Sequence, residues 1–175
     1  MSSKFPDGVA GPYEAPPREF VDAEGRTIRI ERYDGEFDAL VEMYLEFDAE
    51  DRAQGIPPIG EERVVAWLET LLSEECVNVI AWHEDDPVGH ATLVSDLESA
   101  YELAIFVLRA YQDAGIGTQL IEALLGAGRA KGIEGVWLTV ERWNEAAVAL
   151  YRKVGFEPSD TSSFELEMAA RLSDR

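Results

Sequence analysis

Two glycines between an apolar run and a helical pattern are the strongest chemical signal in this chain. The run is Leu103-Ala104-Ile105-Phe106-Val107-Leu108, apolar throughout and of strand length, which predicts a strand buried on both faces. Arg109-Ala110-Tyr111 follow, then Gln112-Asp113-Ala114-Gly115-Ile116-Gly117-Thr118. From there Ile116, Leu120, Ile121, Leu124 and Leu125 recur at helical spacing. The first turn of such a helix leaves backbone N–H groups without partners, with the positive end of the dipole behind them. Glycine removes the side chain that would keep a bulky anion off that backbone. The chemistry this suits is anion binding, and a pyrophosphate cradle is the economical reading.

Rival chemistries are poorly served. A dinucleotide-binding turn needs a third glycine three residues after Gly117, where Leu120 stands, and belongs to an all-parallel sheet. The Gly-Lys-Ser/Thr of a Walker loop is absent. Cys76 is the single cysteine, which excludes an internal disulfide and fits a reducing cytoplasm; with no acid–base partner nearby it reads as an inert, partly buried thiol. His83 and His90 are the only imidazoles and no cysteine cluster accompanies them, so no metal site is expected.

Charge narrows the partners. Asp and Glu number 35 against 15 Lys and Arg, a formal net charge of −20 over 175 residues. Phosphate-rich nucleic acid and anionic membrane would meet repulsion, so neither is expected as a partner. Lysine stands only at 4, 131 and 153, while arginine occurs twelve times. An acid-rich, lysine-poor surface on a chain that is 46% hydrophobic suggests a protein working in high salt; an ordinary acidic mesophile is the alternative. No run approaches transmembrane length and no secretory pattern opens the chain, so a cytoplasmic location is expected.

The elements that must position the cradle can be read in order. Residues 1–17, with Pro6, Pro12, Pro16 and Pro17, read as a tail that stays mobile unless it docks, and 18–175 as one domain. Arg18 to Glu31 resembles a hairpin turning at Ala23-Glu24-Gly25. Helices are predicted over 35–48 and 61–73, joined by a loop over 53–60. From Glu36 to Asp51 there are seven acidic residues and no basic one: a solvated face, or a negative rim drawing in a cation. Strands at 77–83 and 88–93, with a turn at Glu84-Asp85-Asp86-Pro87, lead into the strand at Tyr101 as an antiparallel meander. Gly132 stops the long helix, and Val136 to Val140 is a strand parallel to the 101–108 strand. A short helix over 144–154 closes at Gly155, and Phe164 to Met168 alternates as a last strand. The four tryptophans, Trp67, Trp82, Trp137 and Trp143, read as packing residues.

In this order of elements, over residues 26 to 169, the chain resembles the GNAT superfamily of acyl-CoA N-acyltransferases, most closely from 101 to 158. Gln112-x-x-Gly115-x-Gly117 is similar to the family's Q/R-x-x-G-x-G/A loop, and Asn144-Glu145-Ala146-Ala147 through Leu150-Tyr151-Arg152-Lys153-Val154-Gly155-Phe156 to its late helix. The strand at Val136 stands where the family splays two parallel strands. Asp113 and Ala114 stand where the family commonly has small or basic residues; Asp113 departs from that pattern, and a carboxylate beside a pyrophosphate repels it.

The resemblance implies a mixed α/β fold, with a mostly antiparallel sheet flanked by helices and a parallel pair splayed at the cofactor site. It implies acetyl-CoA as cosubstrate and an amine acceptor, small molecule or protein, with homodimerisation left open. Gln112, Asp113, Ala114, Gly115, Ile116, Gly117 and Thr118 would grip the pyrophosphate, and the backbone of Val107 and Leu108 the thioester end. Asn144 would add a hydrogen bond to the cofactor, or serve as a helix cap, and Arg152 and Lys153 would reach its phosphates or answer the helix dipole. The reaction needs a base for the protonated amine and an acid for the leaving thiolate. Glu102 is the candidate base, against a strand-end glutamate facing solvent; Tyr151 is the candidate acid, against an aromatic packed on the sheet. A noncatalytic acyl-CoA sensor and, more weakly, a nucleotide-binding regulator are the readings from other classes. Acceptor choice would lie in loops 49–60 and 93–100.

Overall fold

The computed structural model describes residues 4–48, 57–160 and 165–173. Among them, eight strands form one sheet in the order β1-β2-β3-β4-β5-β6-β8-β7. The strands are β1 (Arg18–Val21), β2 (Thr27–Arg32), β3 (Val77–His83), β4 (Asp86–Ser95), β5 (Tyr101–Val107), β6 (Gly135–Glu141), β7 (Glu157–Asp160) and β8 (Glu165–Arg171). The helices are α1 (Phe37–Leu45), α2 (Glu61–Leu71), α3 (Ile116–Lys131) and α4 (Glu145–Lys153), with a short 3-10 turn at Arg109–Tyr111. Every neighbouring pair is antiparallel except β5 and β6, which run parallel.

Two apolar clusters sandwich this sheet. Ile116, Leu120, Ile121, Leu124 and Leu125 of α3 pack with Leu103, Val136, Leu138 and Val140 on one face. Leu40 and Tyr44 of α1 and Val64 and Leu68 of α2 pack on the other, over Ile80 and Trp82. Alternating strand side chains feed both clusters, as the period of a pleated strand requires.

The parallel pair determines the shape of the cleft. Its pairing is confined to Tyr101↔Val136 and Glu102↔Trp137, after which the two strands part. On its other edge β5 stays paired with β4 through Gly89↔Val107. The separation explains a correction: β5 is not buried on both faces. Leu103 is buried, but Ala104, Ile105, Phe106 and Val107 are only half-buried, because the opened edge leaves them facing a groove.

Other corrections are smaller. β4 starts at Asp86, so the turn is Glu84-Asp85 with Glu84 at φ 55°, and the mismatch is absorbed by a bulge at Ala81/Trp82. β4 also runs on to Ser95, which shortens the loop expected over 93–100. The short edge strand β7 has no apolar signature in Glu157-Pro158-Ser159-Asp160 and was not anticipated. The last strand begins at Glu165; Phe164, the 53–56 part of the predicted loop and the end of the acidic run at 49–51 lie outside the described residues. The N-terminal segment, expected to be mobile unless docked, lies docked from Lys4 on: Ala10 N–H donates to Arg171 O at 2.8 Å, Arg171 Nε to Pro6 O at 2.7 Å, and Tyr13 Oη to Val154 O at 2.9 Å.

Candidate active site

α3 begins at a glycine because the chain needs a left-handed turn there. Gly115 is the N-cap at φ 91°, and no side chain caps the helix. The first turn's N–H groups therefore lack the usual capping oxygen. Gln119 is the first to close back, its N–H donating to Gly115 O at 3.4 Å. A Cβ added at Gly117 would meet only Leu150 at 3.6 Å and Ile105 at 4.0 Å, ordinary contacts, so internal packing does not demand glycine there. The open backbone faces a groove of about 420 Å³ whose lining includes Tyr111, Gln112, Asp113, Gly115, Gly117 and Thr118. Partnerless N–H groups, a helix N-terminus and a missing side chain together fit a pyrophosphate. The same groove carries the exposed Asp113, held at φ 58°, and buries Ala114 and Ile116 beneath it.

The groove continues past Ile105, Ala147 and Tyr151 into a second one of about 290 Å³, between the parted strands. Glu102, Thr139, Glu141, Trp143 and Asn144 line this second part. The structure thus brings Glu102, Asn144 and Tyr151 together in one cleft with the glycine loop. Glu141 and Trp143 were not foreseen as lining residues. Trp143, expected to be a packing residue, is 75% exposed at the rim and donates its Nε1–H to Glu141 Oε2. Its place immediately before a helix cap was the signal for an exposed position.

The backbone at the end of β5 is partly committed. Leu108 N–H donates to Val88 O at 3.0 Å, and Leu108 O accepts from Tyr111 N–H at 2.8 Å. Val107 O accepts from Gln112 Nε2 at 2.9 Å. Successive peptide groups of a strand point to opposite edges. With Leu108 N–H turned to β4, the Val107 N–H points away from β4, toward the parted edge.

Environment sets the protonation of the acidic and phenolic groups. Glu102 keeps exposed surface, yet packing around its carboxyl, with Asp96 beside it, raises its pKa above the ordinary carboxylate value; Lys4 offsets part of this. Burial of the hydroxyl pushes Tyr151 up to about 12. Its ring stacks edge-on against Phe156 at 6.0 Å. Asn144 caps α4, its Oδ1 accepting from Ala147 N–H at 3.2 Å, which leaves the amide NH2 to donate elsewhere. Arg152 and Lys153 sit in the last turn of α4, at the far end from this cap.

His90, considered in the sequence only as an imidazole without companions for a metal site, joins a buried chain behind the cleft. Asn78 Nδ2 donates to Leu71 O at 2.8 Å, which turns Asn78 Oδ1 toward His90 Nε2 at 2.7 Å. Nε2 must then carry the proton, and Nδ1 accepts from Tyr44 Oη at 2.6 Å. Burial holds His90 down at about 3. Among the described residues no cluster of three or more His, Cys, Asp or Glu could hold a metal, and no helix is long and apolar enough to cross a membrane.

Comparison with known proteins agrees with this geometry. The model of the acetyltransferase (GNAT) family matches residues 37–156. The ribosomal protein bS18-alanine N-acetyltransferase of Haemophilus influenzae is 29% identical over 104 residues, 57% of this chain and 70% of that relative. Other curated relatives match over as little as 31% of their own length. The GNAT domain of S. lividans PAT shares the fold with a TM-score of 0.75 at 15% identity, covering 89% of this chain and 97% of that one. The protein yncA from Salmonella typhimurium, solved with acetyl-CoA, has a TM-score of 0.67 at 20% identity, covering 85% and 95%.

Proposed function

Because this chain belongs to the GNAT family of acetyltransferases, we propose that it moves an acetyl group from acetyl-CoA to a primary amine, the amine nitrogen attacking the thioester carbonyl directly. The observation that carries this reading is the parting of β5 from β6 after a pairing confined to Tyr101–Val136 and Glu102–Trp137. It opens a continuous cleft from the start of α3 to Glu102, long enough in lining to receive a pyrophosphate at one end and an acceptor at the other.

When bound, acetyl-CoA supplies an activated acyl thioester. Gln112, Asp113 and Ala114 shape the loop, and Gly115, Ile116, Gly117 and Thr118 offer their N–H groups to the pyrophosphate. Val107 N–H holds the thioester end, with Leu108 fixing the strand through its own bonds to Val88 and Tyr111. Asn144 donates its free amide to the pantetheine arm. Glu102 accepts the proton of the incoming ammonium, and its raised pKa moves it toward the range where that transfer is efficient. Tyr151 keeps its proton at neutral pH, being pushed up to about 12, gives it to the departing sulfur, and is restored by the second proton that the nitrogen sheds on becoming an amide.

The acceptor mouth carries Glu102 and Glu141, and no basic side chain among the described residues lines that groove. A protonated amine is drawn toward it, whereas a free carboxylate on the acceptor is not. The Haemophilus relative acts on an alanine of a ribosomal protein, so protein amino termini and small amines both belong in the panel that tests this. Thiol release from acetyl-CoA is measured with each amine in turn. Amine-dependent release is the expected outcome. Binding of acetyl-CoA with no transfer to any amine, at low or high salt, would favour a noncatalytic acyl-CoA sensor instead.

A further inference from the structure

The tip of the β1–β2 hairpin has no part in the chemistry above, yet it grips the glycine loop at both ends. Arg26 Nη1 donates to Ala110 O at 3.1 Å, and Ala23 N–H donates to Ala114 O at 3.0 Å. The Arg26 guanidinium also lies 4.1 Å from the Tyr111 ring centre, and Tyr111 Oη bonds His83 Nδ1 at 2.7 Å. Tyr111 is a wall of the cradle groove. The tip itself is rigid. Asp22 is buried, and its Oδ1 accepts from the N–H groups of Glu24 at 3.0 Å and Arg26 at 2.9 Å, while Oδ2 accepts from Arg26 Nε at 2.8 Å.

These contacts have a directional consequence. A trans peptide is planar, with its C=O and the following N–H pointing opposite ways. Ala114 C=O points at the hairpin, so Gly115 N–H points away from it, and Gly115 lines the groove. Between the two gripped carbonyls, Asp113 holds φ 58°, a conformation a non-glycine residue keeps when its surroundings fix it.

We infer that Asp22 and Arg26 are positioning residues for acetyl-CoA, locking the hairpin tip so that its grip on Ala110 and Ala114 turns the loop's N–H groups into the pyrophosphate cradle. The inference rests on the cradle reading above. The role requires the planar fork of arginine: Nε serves Asp22 while Nη1 serves Ala110, and an ammonium cannot span both.

The test titrates wild type, Arg26→Gln and Arg26→Lys with coenzyme A and, separately, with pantetheine, which lacks the pyrophosphate. Both variants are expected to lose about tenfold in coenzyme A affinity, the scale of a misdirected bond to a charged group, while pantetheine affinity holds. A purely structural hairpin would lower both affinities together, or neither, and would overturn the inference. So would Arg26→Lys binding coenzyme A within about twofold of wild type, since charge alone would then suffice. If Arg26→Gln loses its fold, Arg26→Lys carries the comparison. A wild type that binds pantetheine as tightly as coenzyme A would sink the cradle reading itself, a different failure from that of the hairpin.

Discussion

Two sets of polar groups lie against the same sheet and have opposite fates. Behind β4, Tyr44, His90 and Asn78 form a buried chain that ends on Leu71 O, with each link between 2.6 and 2.8 Å. At the start of α3, the helix has no side-chain cap and its N–H groups face an open groove. A buried polar group without a partner is costly, so the first set is closed within the protein. The second borders solvent, where water can satisfy it until a ligand replaces the water. The closed set fixes the fold, tying α1, β3, β4 and the end of α2 together, and the open set is available for binding.

Breaking the closed chain gives the largest expected effect. His90→Ala leaves Tyr44 Oη and Asn78 Oδ1 without their partner and opens a cavity, at a cost of about 3–5 kcal/mol in a urea titration. The same chain governs pH dependence. His90 is near 3 in the fold against an ordinary 6.5, so below about 6.5 the unfolded chain takes up a proton that the folded chain refuses. This contribution to stability is complete above about 6.5 and is lost as pH falls toward about 3, a loss that a stability profile of a destabilised but folded His90→Gln should lack.

The open region should respond in function while stability holds. Tyr151→Phe keeps the ring against Phe156 and removes only the hydroxyl. Turnover on the best acceptor should fall by about 10²-fold, the lower part of the range for general acid catalysis because a thiolate leaves readily. Acetyl-CoA affinity and melting temperature should stay near wild type; unchanged turnover would remove Tyr151 from the chemistry.

Asp113→Lys is a finer probe. It exchanges a repulsive charge for an attractive one at the groove wall, so low-salt calorimetry should show coenzyme A bound several-fold more tightly, a gain that fades with salt. Affinity indifferent to the change would place the pyrophosphate elsewhere. Smallest of all is the bulk response of the 35 acidic side chains: melting temperature should rise modestly with potassium chloride as screening relieves their repulsion. A steady fall would count against a high-salt protein.

The closed and open regions were not equally legible in the sequence. Gly115 was legible because a left-handed N-cap restricts residue choice at a strand-to-helix turn, and Gly117 because a missing side chain in the first turn of a helix leaves its backbone open. Periodicity likewise placed α1, α2 and α3, and the order of elements pointed to the parallel pair. The Tyr44–His90–Asn78 chain could not be read, since its members stand 46 and 12 residues apart and meet only through packing. The grip of Ala23 and Arg26 on the loop was hidden for the same reason: nothing local marks a contact 84 residues away. The half-buried state of β5 was missed because an apolar run looks the same beside a neighbouring strand or an open groove.

The most direct test of the open cleft is an amide NMR titration with acetyl-CoA. Saturable shifts should appear at Val107, Gly115, Gly117 and Thr118, with Asn78 and His90 changing little. Shifts absent from the glycine loop, or spread equally through the buried chain, would contradict the claim that the unpartnered backbone between β5 and α3 is the acetyl-CoA site.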